Sequence, residues 1–170
     1  MMADPDIPQT PDSADVPDAL DVPDEIIRSI RIAADAQTVF DIVSEPGWFI
    51  NDGEYREHQV ASDGATARVM DPVLGEFEVG IVALEPPHRA VFCWLGGDAG
   101  PLADAPRTTV TFTIEPREDG VVLTVHETGF ASLDADAVAR RRRFEEHSAG
   151  WVEELAVART QSLARAGHRG

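Results

Sequence analysis

The sequence predicts an α+β domain in which an antiparallel sheet closes around one long C-terminal helix. Between Leu133 and Leu163, the residues Phe144, Ser148, Trp151, Leu155, Ala158 and Ser162 recur at alternating spacings of four and three, the period of one apolar helix face. About thirty residues at 1.5 Å each make a helix roughly 45 Å long, too long for a minor connector. Upstream lies a succession of short segments that alternate apolar and polar residues and are joined by brief turns, the pattern of antiparallel strands with one buried face. The order is strand, two short helices, strands, long helix. It contains no βαβ alternation and no internal repeat.

The elements follow from the N-terminus. Residues 1–24 repeat an Asp-Pro theme (Asp4-Pro5, Pro11-Asp12, Pro17-Asp18, Pro23-Asp24) with five prolines and few apolar side chains. Such a segment buries too little surface to offset its ordering entropy and is expected to be a disordered acidic tail, with the folded domain over 25–167. Ile26, Ile30 and Ile32 alternate with polar neighbours as a strand. Asp35 is placed to cap a helix carrying Val39, Phe40, Ile42 and Val43, which Glu45-Pro46-Gly47 stops. Trp48-Phe49-Ile50 is expected to form a short second helical turn. Strands are then expected over Tyr55 to Val60, Ala65 to Met70, Phe77 to Ala83, Ala90 to Leu95, Thr109 to Ile114 and Val121 to His126. Gly96 to Pro106 is the longest irregular stretch, and such loops often rim a site.

Composition removes several function classes. The 170 residues carry a formal charge of −17, and eight of those negative charges lie in residues 1–25, which hold seven Asp, one Glu and no base. There is no Lys, and all fourteen basic residues are Arg. An acidic surface repels phosphate backbones, so nucleic acid is not an expected partner. No apolar run approaches the roughly 20 residues that span a bilayer, and the N-terminus lacks the regions of a signal peptide. Cys93 is the single cysteine, which rules out an internal disulfide. A cytoplasmic protein, monomeric or homodimeric, is expected. His58, His88, His126, His147 and His168 show no metal-ligand spacing, so neither a metal nor a cofactor is expected.

Glu127 is the most informative polar residue. It continues the register of Val121, Leu123 and Val125, so its side chain is expected to face the helix. A carboxylate in an apolar cavity has a raised pKa or a hydrogen-bond partner, which suits an acid–base or ligand-orienting group. His126 should face outward, and His147, one position before the apolar stripe, is expected to be a packed histidine, with contact at a helix-facing site as the alternative. Cys93 alternates away from Phe92 and Trp94. Arg140 to Arg143, with Arg141–Glu145 and Arg142–Glu146 at i,i+4, read as a solvated, salt-bridged face, as do Glu153 and Glu154. The Arg run is alternatively a patch for an anion or for the acidic tail.

Several segments resemble a known family: Ile32-Ala33-Ala34 before the Val39-Phe40 helix, Leu84-Glu85-Pro86-Pro87-His88-Arg89-Ala90-Val91-Phe92-Cys93-Trp94, Val110-Thr111-Phe112-Thr113-Ile114-Glu115-Pro116, Thr128-Gly129-Phe130, and Gly150-Trp151 with Leu155. In that order they are similar to the START-like (SRPBCC) superfamily, in the branch of activator of Hsp90 ATPase homologue-like proteins. The resemblance spans Ile26 to about Leu163. It implies a helix-grip fold, a curved antiparallel sheet wrapped around the C-terminal helix with an elongated apolar cavity between them. It further implies that Trp48, Tyr55, Met70, Phe77, Phe92, Trp94, Phe112, Glu127, Phe144, Trp151 and Leu155 line a ligand site. Related domains include lipid carriers, hormone receptors and polyketide cyclases. The co-chaperones of the branch carry an additional large N-terminal domain that residues 1–24 do not replace, so Hsp90 activation is not expected.

The expected function is non-catalytic binding of a small hydrophobic or amphipathic ligand, such as a lipid or polyketide-like metabolite. The alternatives are a polyketide cyclase or dehydratase using Glu127 as acid–base and Tyr55 as orienter, and a protein-interaction or co-chaperone-like module.

Overall fold

The computed structural model describes residues 22–134 and 136–168, so the expected disorder of residues 1–24 falls almost entirely outside the described residues. The chain runs β1 (Glu25–Ile32), α1 (Ala36–Val43), β2 (Gln59–Ser62), β3 (Thr66–Asp71), β4 (Gly75–Glu85), β5 (Arg89–Trp94), β6 (Thr108–Arg117), β7 (Gly120–Thr128), a 3-10 turn at Phe130–Ser132 and α2 (Ala137–His168). The seven strands form one sheet in the order β1-β7-β6-β5-β4-β3-β2, with every strand pair antiparallel. Strands β2 to β7 are a meander. Only β1 departs from it, pairing with β7, so that α1 and the segment after it carry the chain from one edge of the sheet to the other. The α+β helix-grip architecture is the observed one.

Local chemistry sets the boundaries. Asp35 is extended and its Oδ1 accepts the Thr38 amide at 2.7 Å, capping α1 as the sequence predicts. After Val43 the chain makes hydrogen-bonded turns rather than a second short helix, with Trp48 N on Glu45 O at 3.2 Å and Ile50 N on Gly47 O at 2.9 Å. Gly47 has φ 74°, and a Cβ there would stand 2.7 Å from the Val69 side chain. The turn therefore requires glycine and throws Trp48, Phe49 and Ile50 inward, where all three are buried. The strand expected from Tyr55 begins only at Gln59, because Arg56 and His58 turn in to Asp71. Its buried carboxylate takes Arg56 Nε and His58 Nε2, each at 2.9 Å, and the amides of Val73 and Leu74. Burial alone would raise the Asp71 carboxyl, but these hydrogen bonds hold it well below the usual range.

Helix α2 begins four residues later than the periodicity alone indicates, because the Asp136 side chain accepts the Val138 amide at 2.9 Å and caps it there. It is roughly 48 Å long. Its expected stripe is largely the buried one: Trp151, Leu155, Ala158 and Ser162 face the core, and Phe144 and Ser148 are half-buried. Arg28 of β1 donates to Ser148, tying strand to helix. Ser162 satisfies its buried hydroxyl on Ala158 O at 2.7 Å. Phe49 is the hub of the core, with ring centroids 4.9 Å from Trp94, 5.4 Å from Trp151 and 5.8 Å from Phe112. Among the described residues no helix is long and apolar enough to cross a membrane.

Candidate functional site

Strand β7 alternates so that Val121, Leu123, Val125 and Glu127 all point to the helix side, and Glu127 pairs in register with Ile26 and Val110. Its carboxylate is fully buried among apolar neighbours. Four donors converge on it. Oε1 accepts Thr108 Oγ1 at 2.6 Å and Trp94 Nε1 at 3.2 Å; Oε2 accepts Trp151 Nε1 at 2.7 Å and meets His147 Nδ1 at 2.9 Å. Burial alone would raise the carboxyl's pKa, but the His147 hydrogen bond and charge, with the Thr108 and Trp151 hydrogen bonds, outweigh it and hold the group below its ordinary value. The other imidazole nitrogen, Nε2, lies 2.9 Å from Gly96 O. Both ring nitrogens thus lie at hydrogen-bonding distance from oxygens.

The Gly96-Gly97 pair makes this clasp possible. Both residues have positive φ, 64° and 99°, and the loop folds back over α2 so that Gly96 O also accepts Arg143 Nη1 at 2.7 Å. Arg143 further pairs with Asp134 at 3.0 Å and Asp98 at 3.1 Å. The expectation of a solvated Arg140–Arg143 face is corrected here: Arg143 is a bolt between loop and helix, while Arg141 does pair with Glu145 at 3.0 Å. The arginines gain partners across the fold that helix spacing alone does not reveal.

A cavity of about 410 Å³ opens beside this network, between α2, the turns after α1, the start of β4 and the Gly96-Gly97 loop. Phe49, Phe77, Trp94 and Trp151 form its aromatic wall, with Ile50 and Leu74 beside them. His147 reaches it too, so three of the four donors to Glu127 bear directly on the cavity or its wall, while Glu127 itself sits behind them. Asn51, Asp52, Glu146, Glu153 and Glu154 supply the polar part. Gly150 also lines the cavity, and a Cβ built there meets nothing within 4 Å.

Of the residues the sequence singles out, the structure gathers Phe77, Trp94 and Trp151 on the cavity wall. Trp48, Phe92, Phe112 and Leu155 are buried in the core behind it, where the rings of Trp48 and Phe112 pack at a tilt with centroids 5.2 Å apart. Phe144 is half-buried 5.4 Å from Phe130. Met70 is exposed on the far strands. Tyr55 is the clearest correction: it is 39% exposed and lines a separate depression with Ala156, Val157 and Thr160, because the chain around it follows Arg56 and His58 toward Asp71 instead of entering a strand. It does not face the cavity and cannot orient a ligand in it.

Glu154 is the second correction. The sequence places it on the solvated face, yet it is only 7% exposed. Its Oε1 accepts the Gly53 amide at 3.0 Å, and its Oε2 has no hydrogen-bond partner among the described residues. Asn51 Oδ1, on the same cavity wall, is likewise buried without a partner. Burial pushes the Glu154 carboxyl up to about 7; the charges of Glu153 and Asp52 push the same way, against the Gly53 hydrogen bond and the pull of Arg56. The signal in the sequence was its position three after Trp151 and four before Ala158, at the margin of the apolar stripe. Phe49, Ile50, Leu74 and His147 complete the wall. Among the described residues no group of three or more His, Cys, Asp or Glu is arranged to hold a metal ion.

Known structures share this architecture. Protein MLL2253 from Mesorhizobium loti superposes with a TM-score of 0.60 at 18% identity, over 83% of this chain and 97% of that one. DynU16, from the dynemicin biosynthetic locus, gives 0.58 at 20% over 82% of this chain and 47% of its own. The di-domain ARO/CYC StfQ from the steffimycin biosynthetic pathway gives 0.57 at 15% over 85% of this chain and 52% of its own. This chain thus spans about half of each of the latter two. No curated protein sequence matches it. The family described as Activator of Hsp90 ATPase homolog 1-like protein matches residues 33–157, a span that holds every side chain of the Glu127 network and of the cavity wall. The chain belongs to that family.

Proposed function

We propose that the domain binds a small, largely apolar ligand in the cavity between the aromatic wall and α2. The observation that carries this reading is Gly150. A glycine inside a helix costs about 1 kcal/mol relative to alanine, and here its missing side chain leaves open space at the cavity instead of making room for a packed neighbour. The volume of about 410 Å³ falls within the range of small-molecule sites, and the wall has the usual make-up of several aromatic side chains with a few polar groups. The Glu127 network supports it: by engaging both indole N–H groups it fixes Trp94 and Trp151 with their rings toward the cavity. The test is a thermal-shift screen of apolar and amphipathic compounds against the wild type and Gly150→Leu. Stabilisation of the wild type alone supports the reading; no stabilisation of either, or equal stabilisation of both, counts against it.

A second reading, acid–base turnover of a polyketide-like substrate, draws on Glu154 and not on Glu127. Glu127 is sealed and its oxygens are fully engaged, whereas Glu154 sits on the cavity wall with a free oxygen and a carboxyl near 7. Product formation from an extracted ligand that is lost in Glu154→Gln would favour it.

A further inference from the structure

We infer, resting on the ligand-binding reading, that the ligand carries a protonated amine and that this group docks at Asn51 and Glu154, with its apolar part against the aromatic wall. Two buried acceptors on one cavity, Asn51 Oδ1 and Glu154 Oε2, lack partners among the described residues. A buried acceptor without a donor is costly, and a ligand that supplies N–H groups relieves such an acceptor. An ammonium, with three donors, is the group that fits a pair of acceptors of which one is a carboxylate.

The surrounding charge agrees. Asp52, Glu146, Glu153 and Glu154 all border the cavity, and neither Arg nor Lys lines it. The nearby bases are engaged by other groups: Arg56 Nε by Asp71, although its Nη2 is buried without a partner among the described residues, Arg143 by Asp98 and Asp134, and His147 by Glu127 and Gly96 O. A ligand carboxylate would meet Asp52, Glu146, Glu153 and Glu154 here, and the one base among the lining residues, His147, is already engaged by Glu127. The rings of Phe49, Phe77, Trp94 and Trp151 present π surfaces that attract a cation and repel an anion. The carboxyl of Glu154, held near 7 by burial and by Glu153 and Asp52, gains an opposite charge when the amine enters. Selection of amines over acids is therefore built from the orphaned acceptors, the rim charge and the aromatic wall together.

The test compares three probes of equal chain length, decylamine, decanol and decanoate, titrated at pH 8 against the intrinsic tryptophan fluorescence of the full chain. Decylamine should bind about tenfold tighter than decanol, with decanoate weakest, and Glu154→Gln should narrow the amine-to-alcohol ratio to within about twofold. Should that variant not fold, Asp52→Asn should narrow the same ratio by a smaller factor. Equal binding of decylamine and decanol, or tightest binding of decanoate, overturns the inference while leaving the cavity reading in place. An amine preference that survives in Gly150→Leu belongs to the acidic surface and also overturns it. If none of the three probes binds, the cavity reading falls and takes the inference with it.

Discussion

Glu127→Gln separates a structural carboxylate from a catalytic one. A glutamine amide offers one acceptor and one donor group where the carboxylate offers two acceptors. Thr108 can rotate its hydroxyl and His147 can change tautomer, but an indole N–H cannot reverse. Trp94 Nε1 faces Oε1 at 3.2 Å and Trp151 Nε1 faces Oε2 at 2.7 Å, so whichever way the amide turns, one buried indole N–H meets another N–H. An orphaned buried donor costs about 1–3 kcal/mol, and losing the charge-assisted contact to His147 adds about 1 kcal/mol. A total of about 3 kcal/mol corresponds to a Tm lower by about 6–12 °C in a domain of this size. Thermal unfolding followed by circular dichroism measures it. The pH dependence is part of the prediction. The folded-state pKa of Glu127 lies below its ordinary value near 4.5, so its stabilisation is present above that value and is lost as pH falls through the folded-state one. The gap between wild type and variant should therefore be full at neutral pH and close on acidification. A Tm within about 2 °C of wild type at neutral pH, or a gap that does not close in acid, would refute the reasoning.

Other substitutions test the neighbouring claims. Glu154 has its folded pKa raised to about 7, so it favours the fold at low pH and loses that contribution as pH rises through 7; Glu154→Gln should gain Tm relative to wild type between pH 5 and pH 8, and a constant difference would contradict this. Arg143→Ala removes the bolt between Gly96, Asp98 and Asp134 and should cost about 1–2 kcal/mol in urea unfolding, more than an exposed ion pair is worth. Tyr55→Phe should leave ligand affinity unchanged within about twofold, because its ring lies on a different surface; a larger loss in the fluorescence titration would return Tyr55 to the site.

The sheet and α2 were legible because period-2 alternation and 3.6-residue periodicity are local properties. The same period-2 register carried Glu127 to the buried side, seven residues past Gly120 at the start of β7. Its partners were not legible: Trp94, Thr108 and His147 reach it from two other strands' ends and a helix, which only the pairing of β5, β6 and β7 brings together. Glu154 was misplaced because its burial depends on where the turns after Gly47 land, a tertiary outcome that helix periodicity does not encode. Tyr55 was misplaced for a related reason. Its segment has strand-like composition, but the charged cluster of Arg56, His58 and Asp71 fixes it in an irregular path. Arg143 depends on Asp98, 45 residues away along the chain. The cavity followed from the sequence only through the family resemblance, which Gly150-Trp151 helps to carry.

Gly150→Leu examined by native mass spectrometry beside the wild type, each freshly purified and then exposed to a panel of amphipathic compounds, tests the cavity most directly. Leucine improves the helix by about 1 kcal/mol while its side chain fills the space that the glycine leaves open. The account predicts that the wild type carries or acquires one small molecule per chain, and that the variant melts no lower yet stays empty. Equal loading of both proteins, or a wild type that takes up nothing, would contradict it.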